Sequence, residues 1–166
     1  MKVFQRLSFL LLFVAGVLLL NSCNKDDDPT PNDLIIGTWK ITNLDATITV
    51  NGLTFYNYLI SQGLSASEAK LLSDQATAEY EDIGSGTIEI IKGGTYKATD
   101  SGDVSTGTWE LTADGKTLTL DKGTVDEGVF TVTTLTSSKL SLSGDTETND
   151  GGIAIKISLK VDMTKQ

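Results

Sequence analysis

"GTWELTADGKTLTL", residues 107–120, decides the fold. Two Thr-rich runs, "STGTWEL" (105–111) and "KTLTL" (116–120), flank the short "ADGK" (113–116). Threonine and tryptophan fit a pleated, half-buried surface. Asp-Gly between two such runs is a tight hairpin signal, because glycine supplies a positive φ at little cost. The stretch therefore reads as strand, turn, strand.

The same texture spreads outward on both sides. "TIEII" (87–91), "TYKAT" (95–99), "GVFTVTTL" (128–135) and "KLSLS" (139–143) read as further strands separated by turns. In the last run, Ile153, Ile155, Ile157, Leu159 and Val161 alternate with Ala154, Lys156, Ser158, Lys160 and Asp162. That alternation marks a strand with one wet face. "GDTETNDGG" (144–152) between them reads as a solvated hairpin loop; its Asp145, Glu147 and Asp150 lack the ligand spacing of a calcium loop. "LIIGTWKITNLDATITV" (34–50) alternates poorly at first and then places Leu44, Ala46, Ile48 and Val50 on one parity, as in a long, bent strand closed by the "NG" turn at 51–52. The count comes to about eight antiparallel strands, nearly all joined by short turns. Such a meander closes, because closure removes its edges.

Residues 54–82 differ. Phe55, Tyr56 and Tyr58 lead a segment that stops at Gly63. Ser65 and Glu68 then have capping-box spacing, and Ala69, Leu72, Ala76 and Tyr80 recur at helical intervals. These features predict a helical pair inserted after the first strand, with Phe55, Leu59 and Ile60 as the first helix's apolar face. Such short helices must dock through those faces, on either the outer wall of the barrel or its open mouth.

Ahead of the domain, residues 1–22 read as a signal peptide: Lys2 and Arg6, then the apolar "LSFLLLFVAGVLLL" (7–20). "LNSC" (20–23) resembles the bacterial lipobox, which implies that Cys23 is lipidated and becomes the first mature residue. It is the sole cysteine, so no disulfide forms within the chain. Residues 23–33 read as a flexible acidic tether ahead of a domain at 34–166. Lys25, Asp26, Asp27 and Asp28 resemble the surface-export signal of Bacteroidota lipoproteins. The three aspartates do not preorganise a metal site.

A net charge of −9 excludes nucleic acid as a partner and argues against side-chain docking on anionic lipid. There is no histidine, and Arg6 is the only arginine, so few catalytic options remain and the chain reads as non-catalytic, without metal or cofactor.

"GTWKIT" (37–42) recurs as "GTWELT" (107–112). A Gly-x-Trp opening the first strand of an eight-strand meander resembles the lipocalin (calycin) superfamily, and more closely the lipocalin-like lipoproteins of Bacteroidota, through Gly37, Trp39, Gly107, Trp109, Asp114 and Gly115. The resemblance implies that Gly37 and Trp39 plug one end of the barrel. It also implies that a basic side chain of the last strand, here Lys156 or Lys160, crosses Trp39, with the helical pair capping the opposite mouth. It further implies an outer-membrane lipoprotein, at the cell surface or else on the periplasmic face. The barrel would bind a small apolar or amphipathic ligand, with Tyr56, Tyr58 and Trp109 as candidate ligand or partner contacts. The alternative is a filled barrel serving as an interaction module for another envelope protein.

Overall fold

A computed structural model describes residues 28–81 and 86–166. The signal segment, Cys23, Lys25, Asp26 and Asp27 lie outside the described residues; Asp28 is exposed at their start.

Strand β1 (Gly37–Val50) is followed by the two-residue β2 (Leu53–Thr54), then helices α2 (Phe55–Ser61) and α3 (Ala66–Glu81). The meander continues as β3 (Thr87–Ile91), β4 (Thr95–Asp100), β5 (Asp103–Leu111), β6 (Thr117–Leu120), β7 (Gly128–Leu135), β8 (Lys139–Asp150) and β9 (Ile153–Lys165). Each strand pairs antiparallel with the next, and β9 returns to pair with β1 from Trp39↔Lys165 to Val50↔Ile155. The result is a closed eight-stranded barrel with β2 as a short appendage to β1, the mainly β architecture expected, and the helical pair follows the first strand.

The irregular start of β1 has a local cause. The register with β9 slips between Ile41 and Asn43. One extra residue there bends the strand and flips its parity. Trp39 and Ile41 point inward before the slip, and Leu44 joins the same core after it.

Strand lengths divide the barrel into two halves. All eight strands meet around one end, where Ile35, Trp39, Ile90, Leu118, Leu140 and Met163 lead a buried cluster. Beyond it, β1, β9 and β8 run on as a three-stranded ribbon. The expected loop at 144–152 is mostly part of this ribbon: the β8–β9 ladder continues to Asp150↔Ile153, and only Gly151 and Gly152 turn. Their φ values of +58° and +88° permit a two-residue turn. Asp145 and Glu147 thus sit on a strand.

The chain enters the fold earlier than expected. Helix α1 (Pro31–Ile35) is started by a reciprocal capping box between Thr30 and Asp33 and carries Ile35 to complete burial. Part of the expected tether is therefore folded against the barrel, packing over Gly115, where an added Cβ would strike Pro31.

The helical pair does not span the mouth. Its main contacts are with β1, β2 and itself. β3 leaves β1 beyond Lys40 and β2 pairs only with Thr49 and Val50, so the stretch of that edge between them would lie open. α3 starts beside the far end of β1 and leads back to Gly86, whose carbonyl accepts from Ile41 N at 3.0 Å. Sixteen helical residues cover about 24 Å, enough to flank that edge. Leu59 and Ala69 are buried by this packing, whereas Ile60 and Leu72, expected in the apolar faces, are exposed. Ala69, Ser73, Ala76 and Thr77 line the covered side of α3, and their small size permits close approach to a strand.

Candidate functional site

The plug at the closed end is built from three segments. Trp39 is fully buried, and its indole N–H donates to the Ile35 carbonyl at 2.7 Å. Lys165, on β9, lays its ammonium over the Trp39 ring, 5.0 Å from the centroid, and donates to the Leu34 carbonyl at 2.9 Å. This is a cation–π contact with the backbone taking one ammonium proton. Gly37 makes it possible: its φ of +137° disfavours any other residue, and a Cβ there would run into the Lys165 side chain.

The basic residue across Trp39 is therefore neither Lys156 nor Lys160. Both fall on the outward parity of β9. Lys156 is held there by Asp145 at 2.9 Å and Glu147 at 3.5 Å. Val161, Met163 and Lys165 share the inward parity, so the alternation already read to Val161 would have reached Lys165 if carried four residues further.

The second Gly-x-Trp is built in the same way. Trp109 packs against the core and donates its indole N–H to the Ile91 carbonyl at 2.9 Å. Gly107 leaves room for Asp121, whose carboxylate accepts from Tyr96 Oη at 2.6 Å and from Thr108 N at 2.8 Å. A Cβ at Gly107 would strike both Asp121 and Tyr96. Burial, then the bond to Asp121, pushes the Tyr96 hydroxyl up to about 12. The Tyr96 and Thr108 bonds hold the Asp121 carboxyl below its ordinary value. Composition gave no sign of this pair, because its members are 25 residues apart in sequence.

Both shifts favour the fold at neutral pH, and their contributions are lost at opposite extremes. A raised tyrosine value stabilises the fold below pH 10 and is lost as pH climbs from there towards 12. A lowered carboxyl value stabilises above the ordinary aspartate range and is lost as pH falls through it. Tyr96→Phe should therefore lower the urea midpoint at neutral pH, with the gap to the parent narrowing at both extremes. A gap constant from pH 3 to pH 11, in parallel urea melts, would show that the hydroxyl–carboxylate bond contributes nothing.

Tyr56 and Tyr58 are half-buried on α2, away from both tryptophans. The structure thus brings Gly37 and Trp39 together, places Trp109 elsewhere on the wall, and leaves the two tyrosines with the helical pair. No group of three carboxylates among the described residues is placed to hold a metal ion.

Among the described residues, two of the pockets lie mainly on the outer face of the ribbon. A pocket of about 390 Å³ is lined mainly by outward residues of the ribbon, among them Thr49, Glu147, Asn149 and Lys156. Another of about 300 Å³ holds Asp45, Thr47, Ser143 and Ser158. Within the barrel, the inward parity continues past the buried cluster as the pairs Ala46↔Leu159, Ile48↔Ile157 and Val50↔Ile155. Val50 is buried, but Ala46, Ile48, Ile155, Ile157 and Leu159 are only half-buried. This apolar stripe is the candidate binding surface.

No protein-family model matches the chain, and no curated protein matches it in sequence. The fold carries the likeness. A closed, eight-stranded antiparallel barrel is consistent with a lipocalin-like fold.

Proposed function

We propose that this is a lipid-anchored protein of the bacterial outer envelope, displayed at the cell surface, whose non-catalytic barrel binds a small apolar or amphipathic molecule. The lipobox-like "LNSC" and the "KDDD" that follows support the anchor and the display. The observation that carries the binding reading is the inner stripe of the ribbon. Ile48, Ile157 and Leu159 face the side that is filled at the closed end, yet remain half-exposed. Burying such surface under a ligand is favourable at roughly 25 cal/mol per Å². The ribbon's hydroxyl- and carboxylate-rich outer face would suit the polar end of an amphipathic molecule at the rim.

The filled-barrel reading draws on a specific observation too. The closed half is packed with side chains, as small eight-stranded barrels commonly are. An interaction module would then use its outer surface alone.

A fluorescent fatty-acyl probe separates the two. Under the binding reading its emission rises with the parent protein, and Ile157→Trp, which fills the stripe, weakens binding at least tenfold. Equal titrations for parent and variant would remove the stripe as the site.

A further inference from the structure

The two walls of the mouth differ in charge. Opposite the β1–β9 pair stand β5 and β6, each three steps around the barrel from it. On the β4–β5 hairpin of that wall the inward column starts from Ile90, in the buried cluster, through Ile90↔Tyr96. Carried towards the mouth it reads Tyr96↔Gly107, Ala98↔Ser105 and then Asp100↔Asp103. Two carboxylates therefore stand side by side at inward positions of the open end. Like charges directly opposite on paired strands cost stability. Asp121 adds a third, seated over Gly107 of the same column, and its bonds to Tyr96 and Thr108 favour its charged form.

No strand lysine balances them from inside. Lys40, Lys97, Lys139, Lys156 and Lys160 all take outward parity. Lys165 is inward, but it covers Trp39 at the closed end. Counted on both faces, the open-end connections of the carboxylate wall, residues 100–103 and 121–127, hold five carboxylates and one ammonium. That ammonium, Lys122, is held by Glu110 on the outer face at 2.6 Å. On the ribbon side, Lys156 is likewise held outside by Asp145 and Glu147. The inner face of the ribbon carries the apolar stripe of Ile48, Ile157 and Leu159.

We propose that the ligand is a cationic amphiphile, with its hydrocarbon along the stripe and its ammonium or guanidinium head across the mouth at Asp100 and Asp103. This ligand class rests on the binding reading above, since the stripe must hold the tail. An eight-stranded barrel is wide enough for one such molecule. The head relieves the repulsion between the paired carboxylates, and an ion pair at a partly dry rim is stronger than one in bulk water. An anionic amphiphile with the same tail meets that wall as repulsion, so the mouth discriminates by charge.

The test uses the whole mature chain from residue 23, carrying Cys23→Ser so that no lipid competes for the probe. Three fluorescent probes share one alkyl tail and end in a quaternary ammonium, a carboxylate or a hydroxyl. Each is titrated at physiological ionic strength, below its micelle-forming concentration. The ammonium probe should bind at least about tenfold more tightly than the carboxylate probe. Asp100→Asn with Asp103→Asn should abolish that preference, with circular dichroism confirming the fold. Asp74→Asn with Glu89→Gln removes the same charge from exposed positions outside the mouth and should keep it. Binding of the hydroxyl probe with equal affinity for the two charged ones would overturn the cationic head and leave the stripe as a site. A preference that survives the Asp100/Asp103 variant, or that is lost equally in the Asp74/Glu89 variant, would also overturn it, the latter tracing it to net charge alone. A parent that binds none of the three probes would overturn the binding reading and the cationic ligand together.

Discussion

Replacing Trp39 with alanine should lower the free energy of unfolding by about 3–5 kcal/mol, the usual cost of deleting a fully buried large aromatic side chain. Three losses act together. The indole leaves a cavity among Ile35, Ile41 and Met163, residues of the same buried cluster. The Ile35 carbonyl loses the donor it has at 2.7 Å. Lys165 loses the ring beneath its ammonium. Trp39→Phe isolates the second term, since it keeps a ring beneath the ammonium and refills much of the volume without an N–H; its cost should be smaller by about half. Domains of this size commonly hold only 5–15 kcal/mol in all, so the alanine variant should be close to unfolded at physiological temperature. Urea melts measure both. A loss below about 1 kcal/mol for Trp39→Ala would mean that the closed end does not depend on its plug.

The second large effect is on location. On the lipoprotein reading proposed above, Cys23→Ser should lose its acyl mass, keep its signal segment uncut and leave the outer-membrane fraction, because the proposed attachment point is the thiol. Two or three acyl chains, at about 0.8 kcal/mol per buried methylene, hold stably where one chain does so only marginally. Replacing Asp26, Asp27 and Asp28 by alanine should leave membrane association intact and reduce cleavage by protease applied to intact cells. A serine variant that stays membrane-bound and is processed normally contradicts lipidation. Equal shaving of parent and triple variant contradicts the export role.

The architecture was legible because its signals are local. A period-two alternation and Asp-Gly turns depend only on neighbours, and they led to a closed meander. The helical pair was likewise legible from spacing, since Ser65 to Glu68 is a capping box in the structure, with the Ser65 amide donating to the Glu68 carboxylate at 3.0 Å. What escaped was set by distant pairing. The long ribbon was hidden because Thr146 and Thr148 give an alternation too polar to distinguish from a loop. The seat of the helices followed from β3 leaving β1 after Lys40, a register fact with no local sign. Lys165 was missed for a different reason. The parity count stopped at Val161, although the same rule carried on selects Lys165 and rejects Lys156 and Lys160.

Native mass spectrometry of the mature protein, released gently from the membranes of its own host, tests the binding claim most directly. The account predicts a discrete added mass of a small molecule on the parent protein, absent from Ile157→Trp purified alongside it. A parent protein that carries only its own acylated mass, under conditions that preserve the fold, would contradict it.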